Sequence, residues 1–289
     1  MRTTLALLLP TVAFMYLPQA YAAEDFEFIQ NQAQLANDTY LTADELPTAL
    51  QKQQQTLIHQ AIIPGSNVSY FLSRSGKVQT ISIRGTANLE NALVDLNLSL
   101  KEDRSLGIKL HQGFASAATA VYQDVAPYLD LKQPILLTGH SLGGAIAVIL
   151  GMYLEHNDTD VKQITTFGQP KVTNVTGATE FNQLPLIRIV NLADIVPLVP
   201  PISPLQIKDM DIFWHMGKEI ILKGDDEYSI TGGVKSALRA TKFTTSIPNE
   251  ENLIAHKMTT YLENIARLQN SAIETPYKME INLFGISID

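Results

Sequence analysis

From Val68 onward, apolar residues fall into short runs separated by longer stretches of helical spacing. Ser69–Ser73 and Val78–Ile83 read as two strands joined by a turn at Arg74–Lys77, with Gly76 as the turn residue. Phe114–Tyr128 is then helical, Pro134–Thr138 is a short apolar run, and Leu142–His156 is helical again. Val161–Phe167 and Leu186–Asn191, rich in Ile, Val and Thr, are two further strands. Strands alternating with helices of this length predict an α/β fold, a mostly parallel central sheet with helices on both faces. The flanks are less regular. Asp25–Ile62 is rich in Gln, Ala and Leu and reads as helical with a break at Pro47. Pro197–Pro204 carries four prolines and reads as an irregular loop. Asp225–Thr245, polar and holding Gly232-Gly233, reads as a surface excursion. No repeat and no sharp composition shift divides the chain, so residues 23–289 are expected to form a single catalytic domain.

The first 22 residues depart from this pattern. Arg2 precedes the apolar stretch Leu5–Leu17, and Ala20-Tyr21-Ala22 places small residues at the cleavage positions of an export signal. The stretch is too short for a spanning helix, which needs ~20 residues. A signal peptide at 1–22 is therefore expected, with a secreted or periplasmic destination and no transmembrane segment after cleavage. Its removal takes the net charge of −8 to −9, because Arg2 is the one charged residue lost. That acidic balance, without a long basic run, argues against nucleic-acid binding. The absence of Cys excludes disulfides, thiolate metal sites and cysteine nucleophiles. Nothing in the sequence sets an oligomeric state.

Gly139-His140-Ser141-Leu142-Gly143 matches G-x-S-x-G. The motif follows the apolar run Ile135-Leu136-Leu137 and opens a helix, the strand–turn–helix setting of a nucleophile elbow. Such a turn pushes the serine hydroxyl outward, while glycines let strand and helix pass closely. The helix N-terminus turns its positive dipole end toward a developing oxyanion, and the N–H of Leu142 is one candidate donor to it.

A serine hydroxyl needs a base, usually His oriented by Asp or Glu, and in this setting the chain order is Ser, acid, His. Of the six histidines, His156, His215 and His256 follow Ser141; His156 ends the nucleophile's own helix and points away. His215 and His256 remain. For the acid, Asp194 stands at the carboxyl end of the run Leu186–Asn191, whereas Asp209, Asp211, Asp225 and Asp226 lie in polar or irregular segments and read as solvated surface charges. Asp209, Asp211 and His215 have only a generic spacing, so no metal site is assigned.

These motifs resemble the fungal-type, or class 3, lipase family of the α/β-hydrolase superfamily. Ser82-Ile83-Arg84-Gly85-Thr86 resembles its oxyanion strand, and His111-Gln112-Gly113-Phe114 its H-x-G-F helix start. Gly139–Gly144 resembles its G-H-S-L-G-G elbow, and Thr166–Val172 its T-F-G-x-P-R-V segment with Lys171 in place of Arg. Asn191–Pro201 resembles its N-x-x-D-x-V-P-x-x-P-P segment. The resemblance implies a catalytic triad of Ser141, Asp194 and His256. His215, in the pattern His215-Met216-Gly217-Lys218-Glu219, takes a structural role. It also implies Thr86 as second oxyanion donor, oriented by Asp95, and no cofactor or metal. The expected activity is carboxylic-ester hydrolysis on acylglycerols or phospholipids through an acyl-enzyme on Ser141. Phospholipase A1 and phenolic-acid esterase share these residues, and a binding protein on a decayed hydrolase fold is the non-enzymatic alternative. Ala92 stands where the family often has a lid Trp. Leu89, Leu93 and Leu96, spaced i, i+4 and i+7, share one face of a short helix expected to act as a lid at a lipid–water interface.

Overall fold

The computed structural model describes residues 24–86, 99–200, 206, 208, 211–232, 249–277, 281–283 and 286–288. The expected signal peptide lies outside them. The first helix, α1 (Phe26–Asp38), is capped by Asp25, whose carboxylate accepts from the Phe28 N–H at 2.8 Å. The helical tract expected to run on to Ile62 does not. Pro47 stands in the first turn of α2 (Leu46–Lys52), where its missing N–H leaves no helical bond unmade. Thr56–Ile62 is a strand, β1, paired antiparallel with β2 (Ser69–Ser75). Its β-branched residues suit an edge strand, and pairing outweighs the helical look of the surrounding glutamines.

The β2–β3 hairpin forms around the expected turn, with Gly76 at φ 57° and β3 spanning Val78–Ile83. Beyond it come β4 (Leu100–Asp103), β5 (Ile108–His111), α3 (Gln112–Val125), β6 (Ile135–His140) and α4 (Leu142–His156). They are followed by β7 (Val161–Phe167), β8 (Thr173–Asn174), α5 (Val175–Glu180) and β9 (Leu186–Asn191). After the acid loop come β10 (Phe213–Trp214), β11 (Lys218–Gly224), β12 (Glu227–Thr231), α6 (Glu250–His256), α7 (Met258–Asn270) and β13 (Ile273–Glu274). The central sheet has the order β1-β2-β3-β6-β7-β9-β11-β12-β13. Strands β3, β6, β7, β9 and β11 run parallel; β2 and β12 pair antiparallel on either side of them, with β1 antiparallel to β2 and β13 parallel to β12. A small antiparallel sheet, β10-β8-β5-β4, stands apart, and Ile281–Leu283 pairs with Ile286–Ile288.

Helix α4 is buried from Gly143 to Leu154 and shares one apolar layer with α3 and the sheet residues Ile81, Leu137 and Ile164. The opposite face is covered by α1 and α7, through Ile29, Ala33, Tyr261 and Ile265 over Phe167, Ile189 and Ile220. With both faces buried, the parallel strands read as continuous apolar runs.

The expected surface excursion from Asp225 is corrected at its start. Asp225-Asp226 is the tight turn of a hairpin, and Glu227–Thr231 is a sheet strand whose Tyr228, Ser229 and Thr231 are buried. Residues 233–245 lie outside the described residues. Asp211 is likewise not a free surface charge: it pairs with Lys109 at 2.5 Å and accepts from the Asn174 amide at 3.1 Å. Asp209 lies outside the described residues.

Inside the sheet, Arg188 of β9 faces its register partner Glu219 of β11 at 3.3 Å, both 1% exposed. Arg188 Nε also donates to the Met216 carbonyl, and Thr231 Oγ1 donates to Glu219 Oε2. Removing one partner of a buried pair leaves an uncompensated charge, at a typical cost of ~3–5 kcal/mol. Glu219→Ala is expected to lower the urea-unfolding free energy by that amount. A loss under ~1 kcal/mol would mean that other groups hold Arg188.

Candidate active site

Parallel strands end on the same side of a sheet, so the segments following β3, β6, β7 and β9 converge there. Ser141 follows β6 directly. Its backbone sits at φ 56°, ψ −129°, a conformation that costs a non-glycine residue ~1–3 kcal/mol. The turn is held by the Ser141 N–H, which donates to the Phe167 carbonyl at 2.8 Å. Leu142 begins α4, whose first N–H groups have no acceptor inside the helix. Gly85 carries the end of β3 against the elbow. A Cβ there would lie 2.6 Å from the His140 carbonyl oxygen and 2.9 Å from Ser141 Cβ, so only glycine fits. Thr86 follows, half-buried.

Asp194 comes three residues after β9, 1% exposed. Its Oδ1 accepts from the Val196 N–H at 2.8 Å, and its Oδ2 accepts from His256 Nδ1 at 2.8 Å and from the Tyr261 hydroxyl at 2.6 Å. Burial alone would raise its pKa. The adjacent His256, its ring hydrogen bond, Tyr261 and the Val196 N–H outweigh that and hold the carboxyl below its ordinary value. An ionised carboxylate only accepts, so the proton of neutral His256 is on Nδ1 and the lone pair is on Nε2. The Asp194–His256 pair lies against Gly168: a Cβ on that residue would be 2.7 Å from Asp194 Oδ2 and 2.8 Å from the His256 ring. Gly168 directly follows the carbonyl that holds Ser141. Ser141 Oγ and His256 Nε2 are both buried, and neither has a hydrogen-bond partner among the described residues.

His256 is the last residue of α6, where carbonyls lack helical partners. The Asn191 side chain donates to the Ala255 carbonyl at 2.7 Å, and His140 Nε2 lies 2.7 Å from the His256 carbonyl. His140 Nδ1 in turn lies 2.7 Å from the Tyr40 hydroxyl. His215 is elsewhere: it donates from Nε2 to the Pro197 carbonyl at 2.6 Å. Beside it, buried Lys171 donates to the Leu198 and Pro200 carbonyls. Together they hold the loop that follows Asp194.

Sequence reasoning did not assign roles to Tyr40, His140 or Tyr261. Tyr261 left a trace, as an aromatic five residues past His256. His140 lay inside the elbow motif at its variable position. Tyr40 left no local signal. Asp95, Leu89, Leu93 and Leu96 lie outside the described residues. Among the described residues no group of three or more His, Cys, Asp or Glu side chains is placed to hold a metal ion, and no helix is long and apolar enough to cross a membrane.

Three buried histidines share one property. Burial lowers the pKa of His111 to about 4 and that of His140, next to His256, to about 3. Burial, with the Arg188 and Lys171 charges, holds His215 well below its ordinary value. All three are neutral when folded and free to protonate when unfolded, near pH ~6.5. Between pH ~6.5 and ~4 the unfolded chain therefore binds more protons, and stability falls as pH falls. The expected slope is up to about 4 kcal/mol per pH unit for three such groups. Urea titrations at pH 7, 6 and 5 measure it, and a flat profile would refute the neutral assignment.

The family described as Lipase (class 3) matches residues 80–203, which span most of β3, the turn at Ser141 and the loop that carries Asp194. Over those residues the chain is similar to class 3 lipases. It is similar to a lipase from Rhizopus niveus, 34% identical over 126 residues, covering 39% of this chain and 32% of that protein. It is also similar to the secreted mono- and diacylglycerol lipase 1 of Fusarium solani, 31% identical over 101 residues, 32% of this chain and 30% of that one. The matched region thus spans about a third of the length of these curated relatives. The likeness of fold reaches further. The lipase of Rhizopus microsporus var. chinensis superposes with a TM-score of 0.59 at 26% identity, over 75% of this chain and 86% of that one. The Lip2 lipase of Yarrowia lipolytica superposes with a TM-score of 0.59 at 26% identity, over 69% and 80%. The fold is the α/β-hydrolase fold of these lipases.

Proposed function

We propose that the protein is an exported serine hydrolase that cleaves carboxylic esters of acylglycerols. The observation that carries this is the arrangement of Ser141 and His256. Asp194 fixes the imidazole through Nδ1, which leaves a bare Nε2, and the strained elbow presents an unpartnered hydroxyl beside the same Phe167–Gly168 turn. Ser141 Oγ attacks the acyl carbonyl as His256 Nε2 takes its proton, and the charge that develops on the ring is balanced by Asp194. The tetrahedral oxyanion is held by the Leu142 N–H and by Thr86, at the end of β3; one such donor is worth ~10²–10³ in rate. His256 returns the proton to the leaving alcohol, and water then repeats the sequence on the acyl-enzyme.

The similarity to lipases, one of them named for mono- and diacylglycerols, supports acylglycerols as the substrate class. The test is a panel of triolein, a diacylglycerol, phosphatidylcholine, dissolved p-nitrophenyl butyrate and methyl ferulate, with fluorophosphonate labelling alongside. Labelling together with acylglycerol turnover is expected. Preference for phosphatidylcholine or ferulate would move the protein to the phospholipase or phenolic-esterase reading, and absence of labelling would make it a binding protein. Rate against substrate concentration across the solubility limit tests the lid expected of Leu89, Leu93 and Leu96.

A further inference from the structure

Tyr40 stands just beyond α1, one hundred residues ahead of His140, and the chemistry above makes no use of it. Its hydroxyl oxygen is 2.7 Å from His140 Nδ1, while His140 Nε2 is 2.7 Å from the backbone carbonyl of His256. On its other side the same oxygen lies close against Gly85, where an added Cβ would be 2.7 Å from it. The protons in this chain can be assigned. A carbonyl only accepts, so His140 carries its hydrogen on Nε2. The buried ring is neutral, so Nδ1 holds a lone pair. Tyr40 must then donate its one O–H to Nδ1. The path runs from Tyr40 through His140 to the carbonyl of His256.

We propose that Tyr40 is a positioning residue: its hydroxyl holds the His140 ring, and through that ring it fixes the backbone of His256, while its close approach to Gly85 keeps it against the segment that carries Thr86. This rests on the reading of His256 as the base. The His256 carbonyl sets the tautomer of His140, and the O–H of Tyr40 satisfies the lone pair on Nδ1 and fixes the ring's orientation. Without it the ring is held at one nitrogen only and is free to tilt, which loosens its hold on the end of α6. The imidazole stays tied to Asp194 but loses its second anchor, and small displacements of a catalytic group are costly to rate.

Tyr40→Phe removes only the oxygen. Its turnover of p-nitrophenyl butyrate, dissolved below its solubility limit, is expected to fall on the order of 10- to 100-fold with KM held within about twofold. Thermal unfolding should show the variant folded. His140→Gln and the double variant complete a cycle. If the two residues form one relay, the double variant is no slower than His140→Gln alone. Losses that multiply, or a kcat for Tyr40→Phe within about twofold of wild type while His256→Ala is inactive, would overturn the relay and leave the base assignment standing. An active His256→Ala would remove the base reading and this inference with it.

Discussion

Ser141→Ala is expected to lose on the order of 10⁴ to 10⁶ in ester turnover, the range typical of losing a triad nucleophile. It is also expected to be as stable as the parent, or more so by up to ~1–2 kcal/mol. The hydroxyl is buried and has no hydrogen-bond partner among the described residues, so its removal breaks no bond and relieves an unmet desolvation cost. The backbone strain at φ 56° is the same for alanine as for serine, so the elbow keeps its shape. Turnover of p-nitrophenyl butyrate and urea unfolding, run on the same preparation, check both halves. Activity near wild type would end the nucleophile assignment. Lost activity with a large loss of stability would instead point to a misfolded elbow.

The two histidines left open by chain order should behave oppositely. His256→Ala is expected to match Ser141→Ala in severity, with the double variant hardly worse, because triad members act as a unit. His215→Ala should keep most of its turnover. Its side chain donates to the Pro197 carbonyl and, unlike that of His256, is not bonded to the carboxylate of Asp194. Its loss leaves a buried carbonyl without that donor, a cost of ~1–3 kcal/mol in stability rather than in chemistry. Measured kcat values with the order reversed would move the base from α6 to the segment before β11.

The parts legible in the sequence were those where local pattern and tertiary environment agree. Helix α4 and strands β7 and β9 fall on the expected boundaries because they are largely buried and carry the apolar and β-branched residues that such positions favour. The turn at Ser141 and the loop position of Asp194 were readable because each follows a buried strand. Strand β1 was not, since an edge strand buries little and Thr56–Ile62 carries no strong alternation; its partner β2 makes it a strand. Glu227–Thr231 was hidden by the acidic turn before it. The two-residue strands β8 and β10 are too short to leave a pattern. Tyr40 marks the limit for the site: its neighbours there, Gly85 and His140, are brought to it by the fold, and no spacing in the sequence encodes their meeting.

Helix α1 packs across the sheet face beside α7, with Ile29 and Ala33 in the same apolar layer as Tyr261 and Ile265. These helices lie more than two hundred residues apart along the chain, and each supplies a tyrosine one residue removed from His256: Tyr40, just past the first, on His140, and Tyr261, within the second, on Asp194. Helix α1 therefore waits for α7 before either has its partner. Contacts of such long sequence separation form slowly, because loop closure must be met before they give anything back. A chain cut before α7 keeps Ser141 and Asp194 but loses Tyr261, which donates to the Asp194 carboxylate. On the proposed function, such a truncated chain is expected to be silent toward esters without needing any inhibitor.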